Sequence, residues 1–207
     1  MTGPELFAAH FDVSRETIQL LEQLEALLRK WNSAINLVSP NTLSEIWSRH
    51  FLDSAQLLDM LDTTPERWGD LGSGGGFPGL VVGVLAKERF PDMKLTLVES
   101  DKRKAAFLAN AVRDLGIFAK VEPMRIEMLG PLHADVLSAR ALASLDLLLG
   151  FAERHLSPDG IALFPKGNRW REEVALAKQK WSFDCEQKPS ATDPESVVLK
   201  IKGLQRV

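Results

Sequence analysis

Trp68-Gly69-Asp70-Leu71-Gly72-Ser73-Gly74-Gly75-Gly76-Phe77-Pro78-Gly79 is the stretch whose reading decides the fold. A short apolar run ends at Leu71, four glycines follow within five residues, and Pro78 stands where a helix through Leu80, Val81, Val84 and Leu85 would begin. This pattern predicts a strand, a glycine turn and a helix start. Glycine admits positive φ and lets a ligand approach the backbone, and proline at a helix start sacrifices no needed N–H.

Two ligand classes use such a turn. A dinucleotide site asks for G-x-G-x-x-G, with the pyrophosphate on the free amides of the helix N-terminus, and Gly74, Gly76 and Gly79 fit that spacing. Counted from Gly72, where the turn leaves the strand, the pattern is instead G-x-G-x-G followed by Phe77, with Asp70 just ahead of it. That form looks like the S-adenosylmethionine turn of doubly wound methyltransferases. Glycines alone leave both classes open, because such a motif is short.

Outward from the turn, strand and helix alternate, the mark of a mostly parallel sheet covered on both faces. The strands read as 67–71, 94–99, 119–123, 134–138 and 160–165, and the helices between them as 79–89, 102–115, 144–155 and 168–180. Pro91, Gly116, Pro131 and the run Ser157-Pro158-Asp159-Gly160 punctuate them. The tail breaks the rhythm, because 181–187 and 195–202 read as two strands with no helix between, hence an antiparallel pair at the sheet edge. A fold of two similar dinucleotide-binding halves gives no reason for that ending. A seven-stranded methyltransferase sheet, whose last strand is inserted antiparallel, does.

Ahead of the sheet, residues 14–31 set Ile18, Leu21, Leu24, Leu28 and Trp31 on one face, with Ser14 placed to cap the helix. Thr42-Leu43-Ser44-Glu45 reads as a capping box for a second helix carrying Ile46, Trp47, Phe51, Leu57, Leu58 and Leu61. Arg49, His50 and Asp53 share one face there, as an ion pair with a satisfied histidine or as functional groups. Residues 1–65 are therefore expected to form a helical cap, and residues 66–207 an α/β unit with a doubly wound, Rossmann-like sheet.

Composition sets bounds on function. With 45% hydrophobic and 26% charged residues, the 207-residue chain can bury one ordinary core. Its single cysteine, Cys185, excludes an internal disulfide and a multi-cysteine zinc site, and no metal is expected. No leader-like or bilayer-length apolar run is present, so a cytoplasmic, unprocessed protein without a membrane partner is expected. The net charge of −3 hides an asymmetry. Residues 1–62 hold four Lys/Arg against nine Asp/Glu, which leaves −5, and the remainder carries +2. Any basic footprint for RNA belongs to the larger part, which includes Lys102, Arg103 and Lys104.

Strand two ends at Val98 and Glu99 follows. A carboxylate there faces the ribose of an adenosine laid across the first turn and can accept from its hydroxyls. It comes 27 positions after Gly72, later than the ~20 of dinucleotide sites. Asp101 fits the part of a helix-capping acid better than Glu99 does.

Five blocks then agree: Trp31-Asn32-x-x-Ile35-Asn36-Leu37; Arg49-His50-x-Leu52-Asp53-Ser54; Asp70-x-Gly72-Ser73-Gly74-x-Gly76-Phe77-Pro78-Gly79; Ser138-x-Arg140-Ala141-x-Ala143-Ser144-Leu145; and Lys166-Gly167. In this order they resemble the bacterial 16S ribosomal RNA guanine-N7 methyltransferase family, also known as glucose-inhibited division protein B. The departures are small: Gly75 stands where the family often has Ala, and Pro165 where an apolar residue is common.

The resemblance implies an S-adenosylmethionine-dependent enzyme acting on guanine 527 of 16S ribosomal RNA, with the small ribosomal subunit as partner and the chain a monomer. It implies cofactor contacts at Gly72, Gly74, Phe77, Glu99, Ile126, Glu127 and Arg140. For orienting the target base it points to Arg140, Arg125, Lys166, Asn36 and His50. Guanine N7 carries a lone pair and no proton, so no general base is expected. A nicotinamide-dependent oxidoreductase and a non-catalytic ribosome-assembly factor are the alternatives. The first lacks a convincing hydride-transfer acid or base beside the turn, and the intact glycine turn speaks against the second.

Overall fold

A computed structural model describes residues 2–207. The N-terminal helices come first: α1 (Gly3–His10), α2 (Arg15–Asn32), and a helical segment over residues 40–60 that contains the short α3 (Asp53–Ala55). There follow β1 (Arg67–Leu71), α4 (Gly79–Arg89), β2 (Lys94–Val98), α5 (Lys102–Asp114), β3 (Ala119–Glu122) and β4 (Ala134–Ser138). The chain ends with α6 (Leu145–His155), β5 (Leu156–Lys166), α7 (Trp170–Ala177), β6 (Trp181–Pro189) and β7 (Val197–Arg206).

The seven strands form one sheet in the order β3-β2-β1-β4-β5-β7-β6. The first five run parallel, while β7 lies antiparallel between β5 and β6. Strand order reverses between β1 and β4, so a crevice opens at their carboxyl ends, where ligands of open α/β sheets bind. The antiparallel tail expected from its missing helix is present.

Ser14 caps α2 as expected, accepting from Thr17 N–H at 3.1 Å, and Leu21, Leu24 and Leu28 are fully buried. They share one continuous core with α4 and α5, and the Trp31 and Phe107 rings meet edge-on at 5.8 Å between α2 and α5. The first helix, α1, was not legible in the periodicity. Thr2 and Glu5 form its capping box.

Two expectations need correction. Thr42 and Glu45 do not cap a single long helix. Pro40 instead opens a 3-10 turn through Glu45, then a π-helical stretch Ile46–Leu52 and a 3-10 turn Gln56–Met60 flank α3. Thr42 Oγ1 donates to Ser39 O at 2.9 Å. Ser157-Pro158-Asp159-Gly160 is not a turn but the irregular start of β5. Leu156 pairs with Ala134 and Ile161 with Val136, so the chain between them bulges, and the bulge accommodates a proline that has no N–H to give.

Candidate active site

The glycine turn is tied down from beneath. Asp70 is fully buried on β1. Its Oδ1 accepts from Ser138 Oγ on β4 at 2.7 Å and its Oδ2 from Gly79 N–H at the head of α4 at 3.2 Å. Trp68 Nε1 donates to the same Ser138 Oγ at 2.9 Å. Burial outweighs these hydrogen bonds and pushes the Asp70 carboxyl up to about 6. Above this clamp Gly72, Gly74 and Gly76 all take positive φ, at 63°, 54° and 88°. At Gly72 a Cβ would lie 2.5 Å from Leu142 Cδ1, whereas at Gly74 it would meet only Gly72 O, at 3.7 Å.

A cleft of about 480 Å³ opens over the turn. Gly72, Gly74, Phe77, Glu99, Arg125, Ile126, Glu127 and Arg140 all line it, so the residues quoted from four separate parts of the chain converge. Glu99 is buried; its Oε2 accepts from Gly74 N–H at 2.8 Å and its Oε1 from Asp101 N–H at 2.7 Å. Asp101 caps α5 by accepting from Arg103 N–H and Lys104 N–H, as its position suggested. Ile126 is buried at the start of a 3-10 turn, with Arg125 and Glu127 exposed on the rim. Leu37 and Leu142 add apolar wall.

Arg140 stands at the edge of this cleft, tethered to the helical segment. Its Nη1 donates to Asp53 Oδ2 at 3.1 Å and to Arg49 O at 3.4 Å, and its Nη2 donates to His50 Nδ1 at 3.0 Å. His50 Nδ1 is thus the acceptor, and Nε2–H donates to Thr42 Oγ1 at 3.0 Å. Burial, then the charges of Arg140 and Arg49, hold the imidazole down to about 4, so it is neutral near pH 7. Its ring stacks on Phe77 at 4.8 Å, and the Arg140 guanidinium carbon lies 5.0 Å from the same ring. Arg49 pairs with Glu45, not Asp53. The ion pair read as local to one helix therefore joins Asp53 to Arg140 instead.

A second cleft, of about 470 Å³, lies on the other side of Arg140. His50 and Lys166 line it, and Lys166 Nζ contacts Glu173 at 2.6 Å and donates to Ala143 O at 3.1 Å. Asn36 lines neither cleft and is exposed. The asparagine turned inward in that block is Asn32, whose Oδ1 accepts from Leu37 N–H and Val38 N–H at 2.9 and 3.0 Å and so fixes the loop that brings Leu37 to the first cleft.

Residues 17–197 match the family model GidB, rRNA small subunit methyltransferase G. The chain belongs to this family. The ribosomal RNA small subunit methyltransferase G of Ruegeria sp. (strain TM1040) is 52% identical over 95% of each chain. That of Cereibacter sphaeroides (strain ATCC 17029 / ATH 2.4.9) is 51% identical over 98% of each. Among solved structures, M. jannaschii TYW2 in complex with AdoMet aligns with a TM-score of 0.59 at 13% identity, covering 84% of this chain and 80% of that one. P. horikoshii TYW2 in complex with MeSAdo gives 0.54 at 13%, over 82% and 63%. At such identities these two likenesses concern the fold, which is that of the doubly wound methyltransferases.

Within an rRNA small subunit methyltransferase G chain, four site residues escaped the sequence reading. Ser138 opens a quoted block, yet only the β1–β4 register, which sets it opposite Asp70, gives it work. Leu142 is recognisable only through the space that Gly72 leaves for it. Ser190 and Thr192 reach Asp53 from the far end of the chain, and no local pattern announces that.

Proposed function

We propose that this chain transfers a methyl group from S-adenosylmethionine to N7 of a guanine in 16S ribosomal RNA, guanine 527 by the resemblance to its family, in the cytoplasm and within the small subunit or its RNA. The observation that carries this reading is the convergence, in one cleft, of glycine-turn backbone, the buried Glu99 carboxylate and the apolar Ile126 face. Those three features suit a nucleoside. Glu99 uses one lone pair per oxygen on the Gly74 and Asp101 amides and keeps others for ribose hydroxyls. Ile126 and Leu142 offer surfaces for an adenine, and Glu127 an acceptor for its polar edge.

When bound there, S-adenosylmethionine supplies an electron-poor methyl group on a sulfonium. The chain's own contribution is placement. In-line attack through the free lone pair of guanine N7 would form the N–CH3 bond as the S–CH3 bond breaks and a neutral thioether leaves, so no side chain has to remove a proton. Holding the two partners at reacting distance supplies most of the acceleration. Arg140 is the leading candidate for orienting the base, because N7 and O6 both accept hydrogen bonds and a guanidinium can donate to O6. Lys166, His50 and Arg125 are the next candidates.

Mass-spectrometric mapping of 16S rRNA from a deletion strain tests the reading. One 7-methylguanosine is expected to disappear and to return with the wild-type gene. Identical maps from both strains would remove the proposed activity.

A further inference from the structure

The second cleft has no part in holding the cofactor in the reading above. We propose, building on that reading, that it is the acceptor site: the guanine to be methylated leaves its stack and lodges there, divided from the first cleft by Arg140 and Ala141. Both residues line both clefts, and among the described residues no others do. A volume of about 470 Å³ falls within the range of small-ligand sites.

The charge of the lining selects a base over a phosphate. Arg49, Arg140 and Lys166 face Asp53, Glu173 and Asp193, three cations against three carboxylates, and His50 is neutral. Arg140 and Lys166 each already hold a carboxylate, at 3.1 and 2.6 Å. A phosphate socket calls for uncompensated positive charge. A mosaic of donors and acceptors with no net charge suits a neutral heterocycle that carries both. Guanine does: N7 and O6 accept, while its N1–H and amino group donate. Arg140 spends three N–H groups on Asp53, His50 and Arg49, which leaves two of its five uncommitted.

The partition is also strained. Ala141 sits at φ 52°, a conformation an L-residue with a Cβ rarely adopts. Such outliers persist where surrounding structure over-determines them, and they gather at sites that must present a neighbour in one orientation. Here that neighbour is Arg140.

The unmodified chain allows a direct test. A transcript of the small-subunit rRNA carrying 6-thioguanosine at the acceptor position is irradiated with the protein, and the crosslinked peptides are sequenced. Crosslinks to residues 49–53, 165–167 or 190–196 support the assignment, and crosslinks confined to other segments overturn it. Gly167→Trp gives a second arm, because Gly167 lines this cleft and a Cβ there meets nothing within 4 Å, which leaves room for the ring to occupy part of it. Methyl transfer, as kcat/KM, is expected to fall at least about 100-fold while S-adenosylmethionine affinity stays within about twofold. Bound cofactor with full transfer by Gly167→Trp refutes the acceptor site. Failure of the unmodified chain to bind S-adenosylmethionine instead refutes the cofactor reading.

Discussion

Arg140 is fixed by hydrogen bonds of defined direction: its Nη2–H points to a neutral His50, and His50 in turn donates to Thr42. A lysine at this position keeps the charge and loses the planar fork, so it cannot hold Asp53 and His50 together. For Arg140→Lys, methyl transfer to undermethylated small subunits should fall at least about 100-fold, ~2.7 kcal/mol of transition-state stabilisation. Turnover within threefold of wild type would show that a point charge suffices. Two titrating groups, the buried Asp70 and the half-buried His50, meanwhile make opposed contributions to stability. Asp70, raised by burial to about 6, keeps its proton in the native state when the unfolded chain has released it, so between about pH 4 and 6 its contribution falls as pH rises, by roughly 3 kcal/mol. His50, lowered chiefly by burial to about 4, resists the proton that the unfolded chain takes up below about 6.5; its contribution is full above that value and is lost as pH falls towards 4. Urea titrations across this range should show Asp70→Asn gaining stability with pH relative to wild type, and His50→Gln losing it. Curves parallel to wild type for both variants would mean that neither shift exists.

Among the elements, the glycine turn makes the sharpest claim. Gly72→Ala forces a Cβ against Leu142 and strains a positive φ, whereas Gly74→Ala meets only the strain, of about 1 kcal/mol. Calorimetry with S-adenosylmethionine should rank the losses accordingly, with at least tenfold weaker binding for Gly72→Ala and a smaller change for Gly74→Ala. The reverse order would detach Leu142 from the cofactor cleft. The turn was legible because strand, glycines and helix each carry a local periodicity. The antiparallel tail was legible because a missing helix is as visible as a present one. Residues 40–60 misled for the opposite reason: Thr42 and Glu45 match a capping box in spacing, but Pro40 and the inward packing of Trp47 and Phe51 favour 3-10 and π turns, an outcome decided by tertiary contact. The first cleft could be assembled from motifs. The second could not, since Asp53, Lys166 and Thr192 come together only through the sheet order.

Over the whole molecule, charge is divided between an acidic N-terminal part and a basic remainder. Lys102 and Arg103, exposed at the start of α5 beside the first cleft's Glu99 and Lys104, belong to the basic side. Replacing both with alanine should flatten the plot of log affinity for rRNA against log salt by about 1.4 to 1.8, with cofactor affinity unchanged, because each phosphate contact releases counterions. An unaltered slope would return them to ordinary solvated surface. The loop at residues 190–196 is tied to the N-terminal helical segment. Ser190, Thr192 and Ala191 bond back to Asp53 and Gln56, and that loop is held in place by β7, which enters the sheet between β5 and β6 as the final element. During synthesis, then, the nascent chain carries the first cleft's residues long before it can build the second. The wall that residues 190–197 supply to the proposed acceptor cleft is therefore in place only once β7 has paired into the sheet.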